Sequence, residues 1–163
     1  MLHGYICDNT TVTENQAMSG ISKWLAQHSE LSPLLTDFQR SFSGLPQLPP
    51  SVLPLCKIRM AQLHRAKVDN NTSVEFEELA KAVAHWPDHE QFTLLEKACL
   101  AFTEVYAMDV HAITDAQSDA VKQTVGEPGL VALVQALGVF YAETRLATLW
   151  GLAECSEQAE HAQ

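Results

Sequence analysis

The chain has 163 residues, of which 47% are hydrophobic and 18% are charged. This balance is typical of a folded globular protein, and we expect one domain over residues 1–163, with residues 1–12 and 153–163 peripheral. The formal net charge of −10 disfavours nucleic acid and anionic membrane surfaces as partners, because both are bound by basic faces.

The sequence predicts neither export nor insertion into a membrane. The N-terminus lacks a positively charged start followed by an apolar run, so it does not resemble a secretory signal. The most apolar stretch, residues 129–142, is interrupted by Gln135 and is shorter than the ~20 residues that a membrane span requires. We therefore expect a cytoplasmic protein.

The cysteines are spread along the chain without a metal or redox spacing. There are four of them: Cys7, Cys56, Cys99 and Cys155. Because no Cys-x-x-Cys or Cys-His spacing occurs among them, we expect reduced, buried thiols, and we predict no metal site and no cofactor.

The first third of the chain predicts two helices and a stiff connector. A first helix is expected over residues 14–28, and a second starts at Ser32 and Pro33 and ends at Gly44, since proline is favourable in the first helical turn. Residues 45–50, LPQLPP, contain three prolines and cannot be helical.

The next helix is the one around which the chain is organised, and it is predicted from Ser51 to Val68. Its apolar positions recur at helical spacing, and it carries four of the ten basic residues: Lys57, Arg59, Arg65 and Lys67. Two interpretations are open: a solvated face whose last cations favour the helix dipole, or a basic patch for an anionic ligand or an acidic neighbouring subunit.

Three capping boxes predict the helices that follow. Each is a threonine with glutamate or glutamine three positions later, and each opens a helix: Thr72 with Glu75 over residues 74–86, Thr93 with Glu96 through Met108, and Thr114 with Gln117 to Val125. Residues 69–71 form a turn before the first of these helices. No segment alternates as a half-buried strand would, so the fold class is all-α, with about seven helices.

The last helix is predicted over residues 130–152, after the GEPG sequence at 126–129. It is apolar almost all round as far as Tyr141, and such a helix must be covered on every side. A buried central position or a subunit interface would both cover it. We favour a homo-oligomer, dimer, trimer or hexamer, formed through this helix.

Several segments resemble the alkylhydroperoxidase-like (AhpD-like), carboxymuconolactone decarboxylase family. The run KIRMAQL at 57–63 after LPPSVLPL is similar to a family helix, and the similarity continues in LLEKACLAFTEVYAM, in HAITDAQ and in TRLA at 144–147. The resemblance implies an all-helical, oligomeric protein. In redox-active members, a glutamate, two cysteines in a Cys-x-x-Cys turn and a histidine carry out thiol-based peroxide reduction.

The residues that would carry this chemistry are replaced here. Aligned without a gap, the glutamate falls on Pro54, the cysteines on Ala66 and Asp69, and the histidine on Ser73. Alanine and aspartate cannot cycle between thiol and disulfide, so thiol chemistry at this turn is excluded. The histidine motif of the decarboxylase branch is not visible either.

Some side chains near the turn could still do acid–base or binding work. The candidate catalytic residues are His64, Asp69 and His111, with Glu143 nearby if the fold brings it close; the candidate ligand-binding residues are Arg65, Ala66, Asp69, Ser73 and Arg145. Each has a structural alternative: His64 as an exposed helix end, Asp69 as a turn acceptor, His111 before a cap, and Arg145 paired with Glu104 or Glu143. His85 and His89 have metal-ligand spacing only if the helix continued through Pro87, which we do not expect.

Three hypotheses follow from these observations. The first is an AhpD-like protein without the redox pair that binds a small anionic or oxidised metabolite, or acts on it without redox chemistry. The second is a peroxidase-class antioxidant enzyme that uses cysteines from distant helices. The third is a non-catalytic oligomeric scaffold.

Overall fold

The computed structural model describes residues 30–42, 45–66 and 73–149 of the chain. This part is helical, with no strand among the described residues, which confirms the all-α class. The α-helices are α1 Leu31–Phe42, α2 Val52–Leu63, α3 Val74–Ala84, α4 Leu94–Met108 and α5 Asp115–Leu149, and a short 3₁₀ helix, Val110–Ala112, follows α4. The helix predicted over 14–28, the turn at 69–71 and the tail from 153 lie outside the described residues.

Side-chain caps begin three of the helices. Thr93 and Glu96 form a reciprocal capping box at α4, as predicted. Thr114 and Gln117 do the same before α5, with the Thr114 amide donating to Gln117 Oε1 at 2.9 Å. At α3 the predicted cap was wrong by one residue: Ser73, in an extended conformation, is the N-cap, and its hydroxyl accepts from the Phe76 amide.

Two helices end earlier than the sequence predicts. α2 ends at Leu63 rather than Val68, and α3 ends at Ala84 rather than Trp86. The connector at 45–50 is non-helical as expected, and its Leu48 is buried in the core.

Gly126 breaks α5 into two segments, 115–125 and 127–149. Its φ of 69° and ψ of −178° lie in a region that essentially only glycine adopts. The break was predicted as the four residues GEPG, but it is a single residue, because Pro128 is tolerated in the first turn of the second segment. Gly129 is already helical and leaves room for the connector: a Cβ there would lie 3.1 Å from the Gln47 carbonyl oxygen.

The core lies where α2, α4 and α5 meet. Its larger cluster is formed by buried side chains of these helices and of the connector, among them Val52, Cys56, Met60, Cys99, Phe102, Val121, Leu133 and Leu137. A smaller cluster fixes α3 onto α2 and α4 through Leu55, Ile58, Ala82, Val83, Phe92 and Leu100. The helices α2 and α4 are therefore the central pair, and α5 covers them from one side.

Among the described residues, the second segment of α5 is not covered all round, contrary to the expectation for a single buried helix. Leu133 and Leu137 are fully buried, whereas Val131 and Leu149 on the opposite side are 53% and 77% exposed. By length and composition, α5 is also the one helix among the described residues that could cross a membrane, although a core helix of a folded domain passes the same test. A cytoplasmic location and the absence of a membrane partner stay predictions.

Candidate functional site

The end of α2 is built as a tight left-handed turn. The Ala66 amide donates to the Ala61 carbonyl at 2.9 Å, and the Arg65 amide donates to the Gln62 carbonyl at 3.2 Å. These two hydrogen bonds define a Schellman motif, in which the residue at the position of Arg65 is usually glycine. Arg65 has a φ of 55° and is the one described residue other than glycine with positive φ. This turn ends α2 five residues early and fixes the backbone of His64.

His64 packs against α5. Its ring meets the Tyr141 ring edge to face, with 5.3 Å between centroids and an interplanar angle of 77°. Arg145 lies over the same tyrosine, with its Cζ 4.8 Å from the ring centroid, and it donates from Nη2 to the Tyr141 hydroxyl at 2.5 Å. We call His64, Tyr141 and Arg145 the His64 cluster.

The His64 Nε2 atom is buried and has no hydrogen-bond partner within the part of the chain that the structure describes. Burial lowers the pKa of His64 below its ordinary value of 6.5, and the positive charge of Arg145 lowers it further. The imidazole is therefore mainly neutral at pH 7, with one ring nitrogen able to accept a proton. A buried polar atom without a hydrogen-bond partner costs free energy.

An ion pair lies farther along the same helix pair. Lys57, two turns before His64 on α2, contacts Glu143 of α5 with 3.6 Å between Nζ and Oε2, and the Glu143 side chain is only 12% exposed. Lys57 Nζ also lies 6.0 Å from the centre of the Phe140 ring. The packing of α2 on α5 thus carries charged groups of both signs beside aromatic rings.

The predicted carboxylate partner of Arg145 was wrong. Glu104 instead accepts from Arg59 Nε and from the Trp86 indole, each at 2.7 Å. Glu143 contacts Lys57. Lys57 and Arg59 each have an acidic partner on another helix, so these two residues form neither an open basic patch nor a simply solvated face. Of the other two basic residues in the predicted helix, Arg65 is exposed at the turn and Lys67 lies outside the described residues.

The structure brings together only some of the predicted site residues. Arg65 is exposed and Ala66 half-buried at the turn beside His64, whereas Pro54 is exposed near the start of α2. Ser73 serves as the cap of α3, and Asp69 lies outside the described residues. His111 is exposed in the 3₁₀ helix, and its amide donates to Asp109 Oδ1, which fits its structural interpretation.

Tyr141 was not predicted as a site residue, because it falls among the apolar positions of the last helix. Its spacing of four positions from Arg145 could have indicated a pair on one helix face. Arg145 itself was predicted.

Two of the cysteines meet in the core. The Cys56 thiol donates to the Cys99 carbonyl at 3.8 Å, and both side chains are free and fully buried. Burial raises the pKa of Cys56 to about 12 and also raises the pKa of Cys99, so neither thiol is a thiolate near neutral pH. Because the thiolate is the nucleophile, these two cysteines are poor peroxide-reducing groups.

A groove of about 560 Å³ lies between α3 and the loop that follows this helix. Its lining is mostly charged or polar: Glu75, Glu78, Leu79, Lys81, Ala82, His85, His89 and Gln91. The helix α3 ends at Ala84, before Pro87, so His85 and His89 do not lie on one continuous helix, although both line the groove. Among the described residues, no three histidine, cysteine or acidic side chains are placed to hold a metal ion.

Comparison with known proteins adds no assignment, since no protein-family model matches the chain and no curated protein matches it.

Proposed function

We propose that the chain is a divergent AhpD-like protein of about seven helices that has lost the redox cysteine pair. It binds a small anionic metabolite at the His64 cluster, or acts on it by acid–base rather than redox chemistry. Support for the family part comes from the segment resemblances and from the all-helical class. Ala66, where the family has its first cysteine, lies two positions after His64.

The observation that carries the proposal is the buried, unpartnered Nε2 of His64 beside the Arg145 guanidinium. A ligand that offers a hydrogen-bonding group to Nε2 would remove the cost of leaving this nitrogen without a partner. An anionic ligand would also be attracted by Arg145, and its charge would raise the pKa of the imidazole. A neutral imidazole can then take up a proton from the bound molecule or return it.

The peroxidase-class alternative gains no support from Cys56 and Cys99, because both thiols are fully buried with raised pKa values. In a peroxide-consumption assay with a dithiol reductant, we expect no turnover. Turnover that disappears on replacing Cys56 or Cys99 by serine would overturn the proposal.

Anion binding is tested by nuclear magnetic resonance of the imidazole groups. Inorganic phosphate and acetate, titrated at constant ionic strength, should shift the His64 ring signals in a saturable way and raise the pKa of His64. His85, in the groove beside α3, is the matched control, and its ring signals should stay unchanged when the ionic strength is constant. Equal responses of the two histidines would contradict an anion site at the cluster.

The alignment to the redox turn has its own test. The double variant Ala66→Cys, Asp69→Cys should form a disulfide on oxidation without a large loss of stability. If quantitative labelling finds two additional free thiols in the oxidised variant, the alignment is wrong, whereas the phosphate titration is unaffected by that result.

A further inference from the structure

The groove beside α3 is a second concave surface, and the proposed anion site does not use it. Its volume of about 560 Å³ is in the range of pockets that hold small organic ligands. Residues of α3 at helical spacing line it together with three residues that follow the helix: His85, His89 and Gln91. The groove therefore combines side chains from two segments of the chain.

The loop that completes the groove is fixed by contacts with the rest of the molecule. The Trp86 indole donates to a side chain of α4 at 2.7 Å, and the Pro87 carbonyl accepts from another at 2.9 Å. Phe92 is buried in the smaller apolar cluster, and its ring centre lies 5.6 Å from that of His89. Because these contacts hold the loop without a ligand, binding in the groove would cost little ordering entropy.

The charges around the groove favour a cation. Residues 74–91 contain five acidic side chains and one basic side chain, Lys81. Lys81 is already paired, with its Nζ 2.7 Å from Glu78 Oε1. Glu75 lines the groove, is exposed, and takes part in none of the ion pairs among the described residues. A cationic ligand would therefore be attracted both by Glu75 and by the field of a chain whose formal net charge is −10.

The uncharged polar residues of the lining add hydrogen-bond acceptors. His85 Nδ1 donates to the Lys81 carbonyl at 3.1 Å, which leaves Nε2 of the neutral imidazole as an acceptor. His89 Nδ1 is buried and has no hydrogen-bond partner within the described part of the chain, so a donor that reached it would remove a cost in free energy. The Gln91 amide oxygen is a further acceptor. A ligand with several N–H groups matches this lining.

We propose that the groove binds an aliphatic guanidinium group, of the kind that arginine carries. A guanidinium is positively charged and presents five N–H donors in a planar fork, so it can donate to acceptors from both segments at once. Its methylene stem can lie on Leu79 and Ala82, the apolar residues of the lining. A metal ion fits less well, because no three histidine, cysteine or acidic side chains among the described residues are placed to hold one.

The proposal is tested on the full-length chain by nuclear magnetic resonance of the histidine rings, at about pH 8, where an ordinary imidazole is neutral, and at ~0.15 M salt. Acetylated and amidated arginine represents an arginine side chain of a peptide, and agmatine represents a free small cation. At least one of them should shift the His85 and His89 ring signals in a saturable way, with a dissociation constant on the order of 1 mM. The tighter ligand of the two identifies the source of the guanidinium group.

Two controls separate recognition of a guanidinium from general effects. Acetylated and amidated citrulline has a neutral urea group in place of the guanidinium and should cause no saturable shift. His64 lies beside the positive charge of Arg145, so its ring signals should not respond to either cation.

Glu75→Gln and Glu77→Gln are a matched pair of variants. Both remove one negative charge from the first turn of α3, but only Glu75 lines the groove. Glu75→Gln should raise the dissociation constant about three- to fivefold, whereas Glu77→Gln should change it little at this ionic strength. His89→Phe keeps an aromatic ring beside Phe92 but removes the ring nitrogens, and it should also weaken binding. Circular dichroism verifies that each variant is folded.

Three results would overturn the proposal: no saturable shift with either cation, binding of the citrulline compound as tight as that of the arginine compound, or equal effects of Glu75→Gln and Glu77→Gln. The phosphate titration reports on His64 and this titration on His85 and His89. Failure of one proposal is therefore distinguishable from failure of the other.

Discussion

Glu104 offers the sharpest test of how the helices are held together. One of its oxygens, Oε1, accepts hydrogen bonds from Arg59 of α2 and from Trp86, which follows α3, while Glu104 itself lies on α4. Arg59 Nη2 lies 2.6 Å from the same oxygen, and the side chains of Arg59 and Glu104 are 18% and 31% exposed. A single carboxylate, partly shielded from solvent, therefore connects α2, α4 and the segment that follows α3.

Replacing Glu104 by alanine removes the charged hydrogen bonds and leaves Arg59 without its acidic partner. Breaking a fully buried pair costs about 3–5 kcal/mol, and partial exposure reduces this figure, so we expect a loss of about 2–3 kcal/mol in the free energy of unfolding. Glutamine keeps one acceptor oxygen for the indole and should lose about 1–2 kcal/mol.

Urea unfolding followed by circular dichroism measures these losses. With a slope of about 2 kcal/mol per molar urea, Glu104→Ala should lower the midpoint by roughly 1–1.5 M. Glu78→Gln is the matched control, because Glu78 pairs with Lys81 on the open surface at about two-thirds exposure of both side chains. It should change stability by less than about 0.5 kcal/mol. Equal small effects of Glu104→Ala and Glu78→Gln would refute this account of the network.

Three further predictions concern His64, the buried thiols and Gly126. Since the pKa of His64 is lowered in the folded state, the unfolded chain binds more protons below pH 6.5, so the free energy of unfolding should fall as the pH drops from 6.5 toward the lowered pKa. The variant His64→Asn should lose this part of the pH dependence in urea titrations. A variant with the same pH profile as the unchanged protein would contradict this prediction. With the two cysteines outside the described residues replaced by serine, Cys56 and Cys99 should resist a thiol reagent at pH 8 in the native protein and react fully in urea; rapid native labelling would show that they are accessible. Gly126→Ala should cost about 1–3 kcal/mol, because its φ of 69° with ψ of −178° is nearly closed to alanine; a variant as stable as the unchanged protein in thermal unfolding would show that the break can adopt another conformation.

The sequence predicted the fold class and most helix starts because these depend on local signals. Apolar spacing and the Thr93–Glu96 and Thr114–Gln117 boxes act within one or two turns, and a single chain displays them directly. The helix ends were harder to predict. The end of α2 depends on an arginine in a left-handed conformation where glycine is expected, and no composition rule indicates that arrangement.

The candidate site could be predicted only in part, because it depends on contacts between distant helices. His64 and Arg145 were identified from their residue types, but their shared contact with Tyr141 follows from the packing of α2 on α5. The partner of Arg145 was assigned to a carboxylate, and the structure pairs both candidate carboxylates with basic residues of α2 instead. Pairing across helices is set by tertiary geometry, which sequence spacing does not encode.

The way α3 is attached has a consequence for how the molecule opens. Besides the smaller apolar cluster, α3 and the residues just after it are tied to the central helices by the Gln62 amide, which donates to the Ala80 carbonyl at 2.7 Å, and by the bond from the Trp86 indole. Such a peripheral helix can detach while α2, α4 and α5 stay packed. The backbone amides of α3 should therefore exchange with deuterium through a sub-global opening of lower free energy than the opening that exposes the amides of α4. Partial unfolding would then begin at α3, uncovering the apolar surface of Leu100 long before the central helices separate.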